Sequence, residues 1–407
     1  MLAAGSKTLL STALVALMAG CTTPPADNSG VEEPAPVTEQ RDGAMALLPV
    51  LDAEAGPEEN VVFSPASINL AFGLLYEGSG GDTRSQIGRI LPPPSDPLGY
   101  ASDEKDVEVS VANALFLDRD FRFRDSYVSR TRRDYDAAAI AVDYSDAVAS
   151  AKTINDWADK ATRGLIPNVI SPPAIDESMI AVLANALYFE GLWKTKLLYR
   201  KQHPFLFGNG AEEPFTFVGQ TFDVAYASRG DWEAIRLPYR NERYAMDIVM
   251  PRNREVMERA ASAQLLESFA DDLAKAKPDL VEVEIPQFET DYSQSLVAPL
   301  KAIGLTLPFT KGEADFSAMV EPGQPPVVVS DVRHLTKLQV YDAGTKAAAV
   351  TTISIITTSA RILPKEPRRF RADRPFMIVL RDLERDAILF VGRIADPQPF
   401  EPEVDEP

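Results

Sequence analysis

Apolar residues follow two different periods along the chain. Over 67–75 and 149–162 they recur at three and four residues, as with Ile154, Trp157 and Ala161, which predicts helices. Runs at 181–189, 244–250, 280–285, 338–341, 376–380 and 388–391 are short, apolar and rich in β-branched or aromatic residues, which predicts strands. Helices gather early and strands late, the order expected of an α+β fold. Between residue 44 and about residue 360 no repeat and no long linker interrupts the pattern; the turn from Leu91 through Pro92, Pro93 and Pro94 to Pro97 is a rigid loop. One large domain is therefore expected.

The two ends depart from this pattern. Lys7 precedes an apolar and small-residue stretch from Thr8 to Met18, too short to span a bilayer and of the length of a signal-peptide core. It closes on Leu17-Met18-Ala19-Gly20-Cys21, which is similar to a lipobox, where the cysteine is acylated and becomes the mature N-terminus. The expected layout is a signal peptide over 1–20, lipidation at Cys21 and a flexible tether over 21–41, rich in Pro, Glu, Ser and Thr. An ordinary secretory peptide or an uncleaved anchor with an incidental cysteine is the other reading of the same residues. Residues 398–407 are acidic and Pro-rich and read as a solvated tail.

Composition narrows the chemistry. The 407 residues carry a net charge of −19, which argues against a nucleic-acid partner, because a polyanion would be repelled. The chain has two histidines, His203 and His334, and the one cysteine, Cys21, so Cys/His metal sites and disulfide frameworks are set aside and no cofactor is expected. GxSxG, GxxxxGK[ST] and HExxH are absent from the sequence, and Gly78-Ser79-Gly80-Gly81 lacks the spacing of a phosphate loop.

A series of local motifs carries more information. Asn60-Val61-Val62-Phe63-Ser64-Pro65-Ala66-Ser67-Ile68 leads to Gly78-Ser79-Gly80-Gly81-Asp82-Thr83 and Gln86-Ile87. Ala112-Asn113-Ala114-Leu115-Phe116, Ile154-Asn155-Asp156-Trp157 and Asn185-Ala186-Leu187-Tyr188-Phe189-Glu190-Gly191-Leu192-Trp193 come next. Leu237-Pro238-Tyr239, Met250-Pro251, Ile285-Pro286-Gln287-Phe288, Ala314-Asp315-Phe316-Ser317, Pro375-Phe376 and Leu389-Phe390-Val391-Gly392-Arg393 complete the series. In content and order it resembles the serpin family over about 42–397. The resemblance implies a large, mostly antiparallel central sheet with additional sheets, about nine helices and an exposed reactive-centre loop over about 344–369. It also implies an inhibitor of serine proteases that is not itself an enzyme.

The segment from Val340 to Thr351 resembles the serpin hinge: Gly344 frees the backbone to pivot, and Thr345, Ala347, Ala348 and Ala349 bring no bulk or charge. Residues 350–358 are β-branched at eight positions in nine, a strand-favouring composition. Alternation puts Thr345, Ala347, Ala349, Thr351, Ile353 and Ile355 on one uncharged face, with Lys346 on the other. A central strand after a glycine turn would carry the same periodicity. The clean hinge implies the suicide-substrate route: a protease acylates itself on the loop, and the freed hinge inserts into the central sheet before deacylation. Lys346 and the Asp342-Ala343 pair depart from the family's commoner acidic residues.

The family's spacing from Gly344 puts the cut bond at Thr358-Ser359, which suits elastase-like or subtilisin-like targets. A loop lengthened on its near side, with a surplus that includes Pro364 to Arg369, makes Arg361 the alternative and the target trypsin-like. Ser64, Ser67, Asn185 and His334 match a polar cluster that serpins place beneath the opening sheet, the shutter, and Trp193 matches the point where the loop enters, the breach. A Ser64–His334 hydrolase would need an acidic partner and an oxyanion hole, for which no motif is present. The expected protein is a monomer tethered by its N-terminal lipid to the bacterial cell envelope, at the outer membrane or cell surface. The alternative is a non-inhibitory serpin acting as a binding or chaperone module.

Overall fold

The helix Pro65–Gly78 begins where Ser64 accepts the backbone N–H of Ser67 at 3.1 Å and Pro65 supplies a ready-made first-turn backbone. It is apolar on nearly every side and buried along most of its length, as a helix enclosed by sheets must be. The computed structural model describes residues 43–400 except 105, 165–166, 254–260 and 346–365. All of these belong to the unit Arg41–Pro407. Cys21, Ala347, Ala348, Ala349, Thr358, Ser359 and Arg361 lie outside the described residues.

Two mixed sheets dominate. Among the described residues the central sheet has eight strands, ordered Gln398–Pro399, Phe288–Ser295, Val329–Val340, Gly344–Thr345, Ala181–Leu192, Val107–Asp118 and Ser102–Glu104, with Ala138–Val142 also paired to Val107–Asp118. The second has nine among the described residues, ordered Val61–Phe63, Ala387–Ile394, Phe376–Asp382, Tyr244–Pro251, Trp232–Pro238, Glu212–Arg229, Asp279–Pro286 and Arg368–Arg371, with Tyr199–Leu206 paired to Glu212–Arg229. An apolar core that includes Phe189, Phe217, Tyr239, Ile248, Phe288 and Phe376 joins the two sheets. A second core joins the helix Pro65–Gly78 to both.

Seven α-helices lie among the described residues, against the nine or so expected. The predicted helix over 149–162 is Ala147–Ala161, capped by the Asp146 carboxylate on the Ala149 N–H. No helix among the described residues is long and apolar enough to cross a membrane.

Two boundaries differ from expectation. The span read as loop, 344–369, holds strand at both ends, because Gly344–Thr345 belong to the central sheet and Arg368–Arg371 form a strand parallel to Asp279–Pro286. The arginines of that strand have acidic partners on its neighbour, which an exposed loop would not provide. Residues 398–400 are not free tail: Gln398–Pro399 pair with Phe288 and Glu289, and the Phe400 carbonyl accepts Gln287 Nε2 at 2.6 Å.

Candidate functional site

Strands Ala181–Leu192 and Val329–Val340 run parallel and pair directly between Val329↔Ala181 and Leu335↔Ala186. Beyond that they diverge, and Gly344–Thr345 lie between them, antiparallel to both: Gly344 faces Leu192, and Thr345 faces Gly191 on one side and Val340 on the other. Gly344 is a steric requirement. A Cβ there would stand 2.1 Å from the Gly191 carbonyl oxygen and 2.9 Å from Leu192 Cα, both backbone atoms. Thr345 is fully buried.

Aromatic side chains surround this wedge. Trp193 donates Nε1–H to the Tyr341 carbonyl at 3.0 Å, and its backbone N–H goes to the Ala343 carbonyl at 2.8 Å. Its ring stacks on Tyr239, centroids 4.5 Å apart, and the Tyr239 hydroxyl meets Thr345 Oγ1 at 2.7 Å. Burial pushes the Tyr239 phenol well above its ordinary range, so it stays protonated. Tyr239 was visible in the sequence only as part of Leu237-Pro238-Tyr239, with nothing to tie it to the hinge.

Lower in the sheet, Asn113, Asn185 and His334 stand abreast on three successive strands, since Asn113 pairs with Asn185 and Asn185 with His334. Asn185 Nδ2 donates to Asn113 Oδ1 at 2.6 Å, and all three residues are buried. Beneath them, His334 Nε2 accepts the Ser64 backbone N–H at 3.0 Å, and Thr336 donates its hydroxyl to the Val62 carbonyl at 2.7 Å. The structure therefore brings Ser64, Ser67, Asn185 and His334 together and adds Asn113 and Thr336, which sequence reasoning missed. Ser67 Oγ and Asn185 Oδ1 are buried without a hydrogen-bond partner among the described residues. Burial lowers the His334 pKa to about 3, so the imidazole is neutral.

This geometry does not suit a hydrolase. Ser64 Oγ is engaged as a helix cap, and the acceptor nitrogen of His334 is taken by the Ser64 amide rather than by its hydroxyl. Among the described residues no three of His, Cys, Asp and Glu gather as a metal site.

Between two parallel strands, an antiparallel segment has already started. The family model described as "Serpin (serine protease inhibitor)" matches residues 38–397. The chain belongs to the serpin family. It is 28% identical over 368 residues to neuroserpin of Homo sapiens, with 84% of this chain and 87% of that protein covered. It is 30% identical over 363 residues to glia-derived nexin of Rattus norvegicus, with 84% and 88% covered. Among solved structures it superposes on a thyroxine-binding globulin complex with thyroxine at TM-score 0.76 and 21% identity, covering 88% of this chain and 98% of that one, a likeness of fold. Gly344–Thr345 begin the segment that follows strand Val329–Val340 at its C-terminal end.

Proposed function

We propose that this serpin inhibits serine proteases as a suicide substrate, with the chain after Thr345 as bait. The observation that carries the reading is Thr345 seated between Gly191 and Val340. The parallel pairing of Ala181–Ala186 with Val329–Leu335 is the weaker kind of ladder, and an inserted strand antiparallel to both neighbours replaces it with two of the stronger kind. In the proposed route the target's serine attacks the carbonyl before the cut bond, the ester forms, and the C-terminal fragment leaves with the proton taken up on its new amino group. The hinge then continues between the two parallel strands with the acylated protease attached. No residue of this chain does the chemistry.

The bait bond is Thr358-Ser359, with Arg361 as the alternative, and both read from sequence spacing. Mixing the chain lacking residues 1–21 with elastase-, subtilisin- and trypsin-like proteases tests the whole proposal. A complex stable in SDS supports trapping, and the mass of the released C-terminal peptide chooses between Thr358 and Arg361. Loop cleavage without complex from every protease sinks it and favours a non-inhibitory binding module, the reading to which the fold likeness with a thyroxine-binding globulin lends support.

We further propose that the protein is a lipoprotein acylated at Cys21 and held at the bacterial envelope, outer membrane or cell surface. Metabolic labelling with a radioactive fatty acid should mark the wild type and not Cys21→Ser, and the variant should leave the membrane fraction. Equal labelling of both would end the proposal.

A further inference from the structure

We infer that Tyr239 is the positioning residue that holds the hinge inside the central sheet, its hydroxyl and that of Thr345 forming a latch between the seated and the withdrawn hinge. The inference rests on the proposed trapping function and says what regulates the start of insertion.

The tyrosine is fixed by contacts other than Thr345. Its ring stacks on Trp193 and meets Phe189 edge-on at 4.8 Å. Its backbone N–H donates to the Tyr244 carbonyl at 2.9 Å, and the next amide, Arg240, donates to the Leu192 carbonyl at 2.9 Å. Gly191 leaves room for the ring, since a Cβ there would come 2.6 Å from Tyr239 Cδ1. Thr345, by contrast, is held among the described residues by the strand pairs Thr345 with Val340 and Gly191 and Gly344 with Leu192. Both hydroxyls are in fully buried residues, and each finds its hydrogen bond in the other at 2.7 Å.

Removing one member of such a pair strands the other in a dry site, which costs more than the bond contributed, whereas replacing both by apolar groups of like shape is close to neutral. The latch thus has a signature that general loosening lacks: either single change should expel the hinge, and the two together should let it return. A seated hinge has already begun insertion, so an expelled one starts the race with deacylation further back.

The test compares wild type, Tyr239→Phe, Thr345→Val and the double variant, all of which keep the ring stack and the side-chain volume. Amide exchange by mass spectrometry is monitored over residues 341–345. Each single variant should exchange about tenfold faster than wild type, and the double should return to within about threefold. The stoichiometry of inhibition with elastase, subtilisin or trypsin should show the same order, raised in both singles and restored in the double. Unchanged exchange in the singles, or a double variant that equals their sum, overturns the latch. Absence of any complex from wild type would instead defeat the trapping function, while the exchange pattern would still decide the latch.

Discussion

His334 Nε2 accepts the backbone N–H of Ser64 at 3.0 Å across 270 residues of chain, tying the underside of the central sheet to the start of the buried helix. A proton on Nε2 would set one N–H against another in a dry site, and burial accordingly lowers the pKa from 6.5 to about 3. The unfolded chain binds this proton below pH 6.5 and the folded chain does not until about pH 3. Stability from this residue is therefore complete above pH 6.5 and falls steadily with pH below it. Between pH 6.5 and pH 5 the loss should reach about 2 kcal/mol, and His334→Gln should remove that part of the slope. Urea unfolding of both proteins at several pH values checks this; parallel pH profiles would refute it.

Gly344→Ala should unseat the hinge. The added carbon collides with backbone on the Ala181–Leu192 strand, which no side-chain rotation relieves, at an expected cost of about 3 kcal/mol to the seated state. With Gly344–Thr345 out of the sheet, trypsin should cut after Lys346 faster than in wild type, and the yield of protease complex should fall. Peptide mass mapping after brief digestion reads the first effect. An unchanged rate would mean the hinge tolerates the methyl group.

The Asn113–Asn185 bond should matter more than its single 2.6 Å contact suggests, because Asn185 Oδ1 already lacks a partner among the described residues. Asn113→Ala strands the Asn185 amide as well and should cost about 2 kcal/mol in unfolding free energy. Joint replacement of Asn113 and Asn185 should cost less than the sum of the single changes, since each loses the same bond. Additive costs would show that the two side chains act separately.

Period and composition made some parts of the molecule legible and left others hidden. Strand Ala181–Leu192 announced itself because it is covered on both faces and reads as one apolar run. The helix Pro65–Gly78 was readable too, though its cap at Ser64 extends it beyond the predicted span. The hinge at Gly344 and Thr345 was legible through its resemblance to the serpin hinge, since glycine followed by small residues would equally mark a central strand after a turn. Strand order is another matter. That Asn113, Asn185 and His334 lie side by side depends on register between segments 72 residues apart or more, and nothing local in any of them specifies it. Arg368–Arg371 failed as a strand prediction for a related reason. Three of its four residues are arginines, which suit an exposed loop until the facing carboxylates of Asp279–Pro286 are known.

Those arginines lead to a further prediction. Among the described residues the strand Arg368–Arg371 has one strand neighbour, Asp279–Pro286, and pairs to it in parallel through four positions. Three ion pairs reinforce the ladder, Arg368 with Asp279, Arg369 with Glu282 and Arg371 with Glu284. The first two have largely exposed arginines and should contribute little. Glu284 differs, because its carboxylate is fully covered. Burial alone would raise its pKa, but hydrogen bonds from Lys201 and Arg371 outweigh it and hold the carboxyl below its ordinary range. The group is charged at neutral pH and cannot lose a partner cheaply. Arg371→Ala should destabilise the fold by about 2 kcal/mol, less than the full cost of an unpaired buried charge because Lys201 still faces it at 2.8 Å. Arg368→Ala should stay within about 0.5 kcal/mol of wild type. Urea midpoints for the two variants give the answer: equal shifts would mean that burial of Glu284 does not set the strength of this edge.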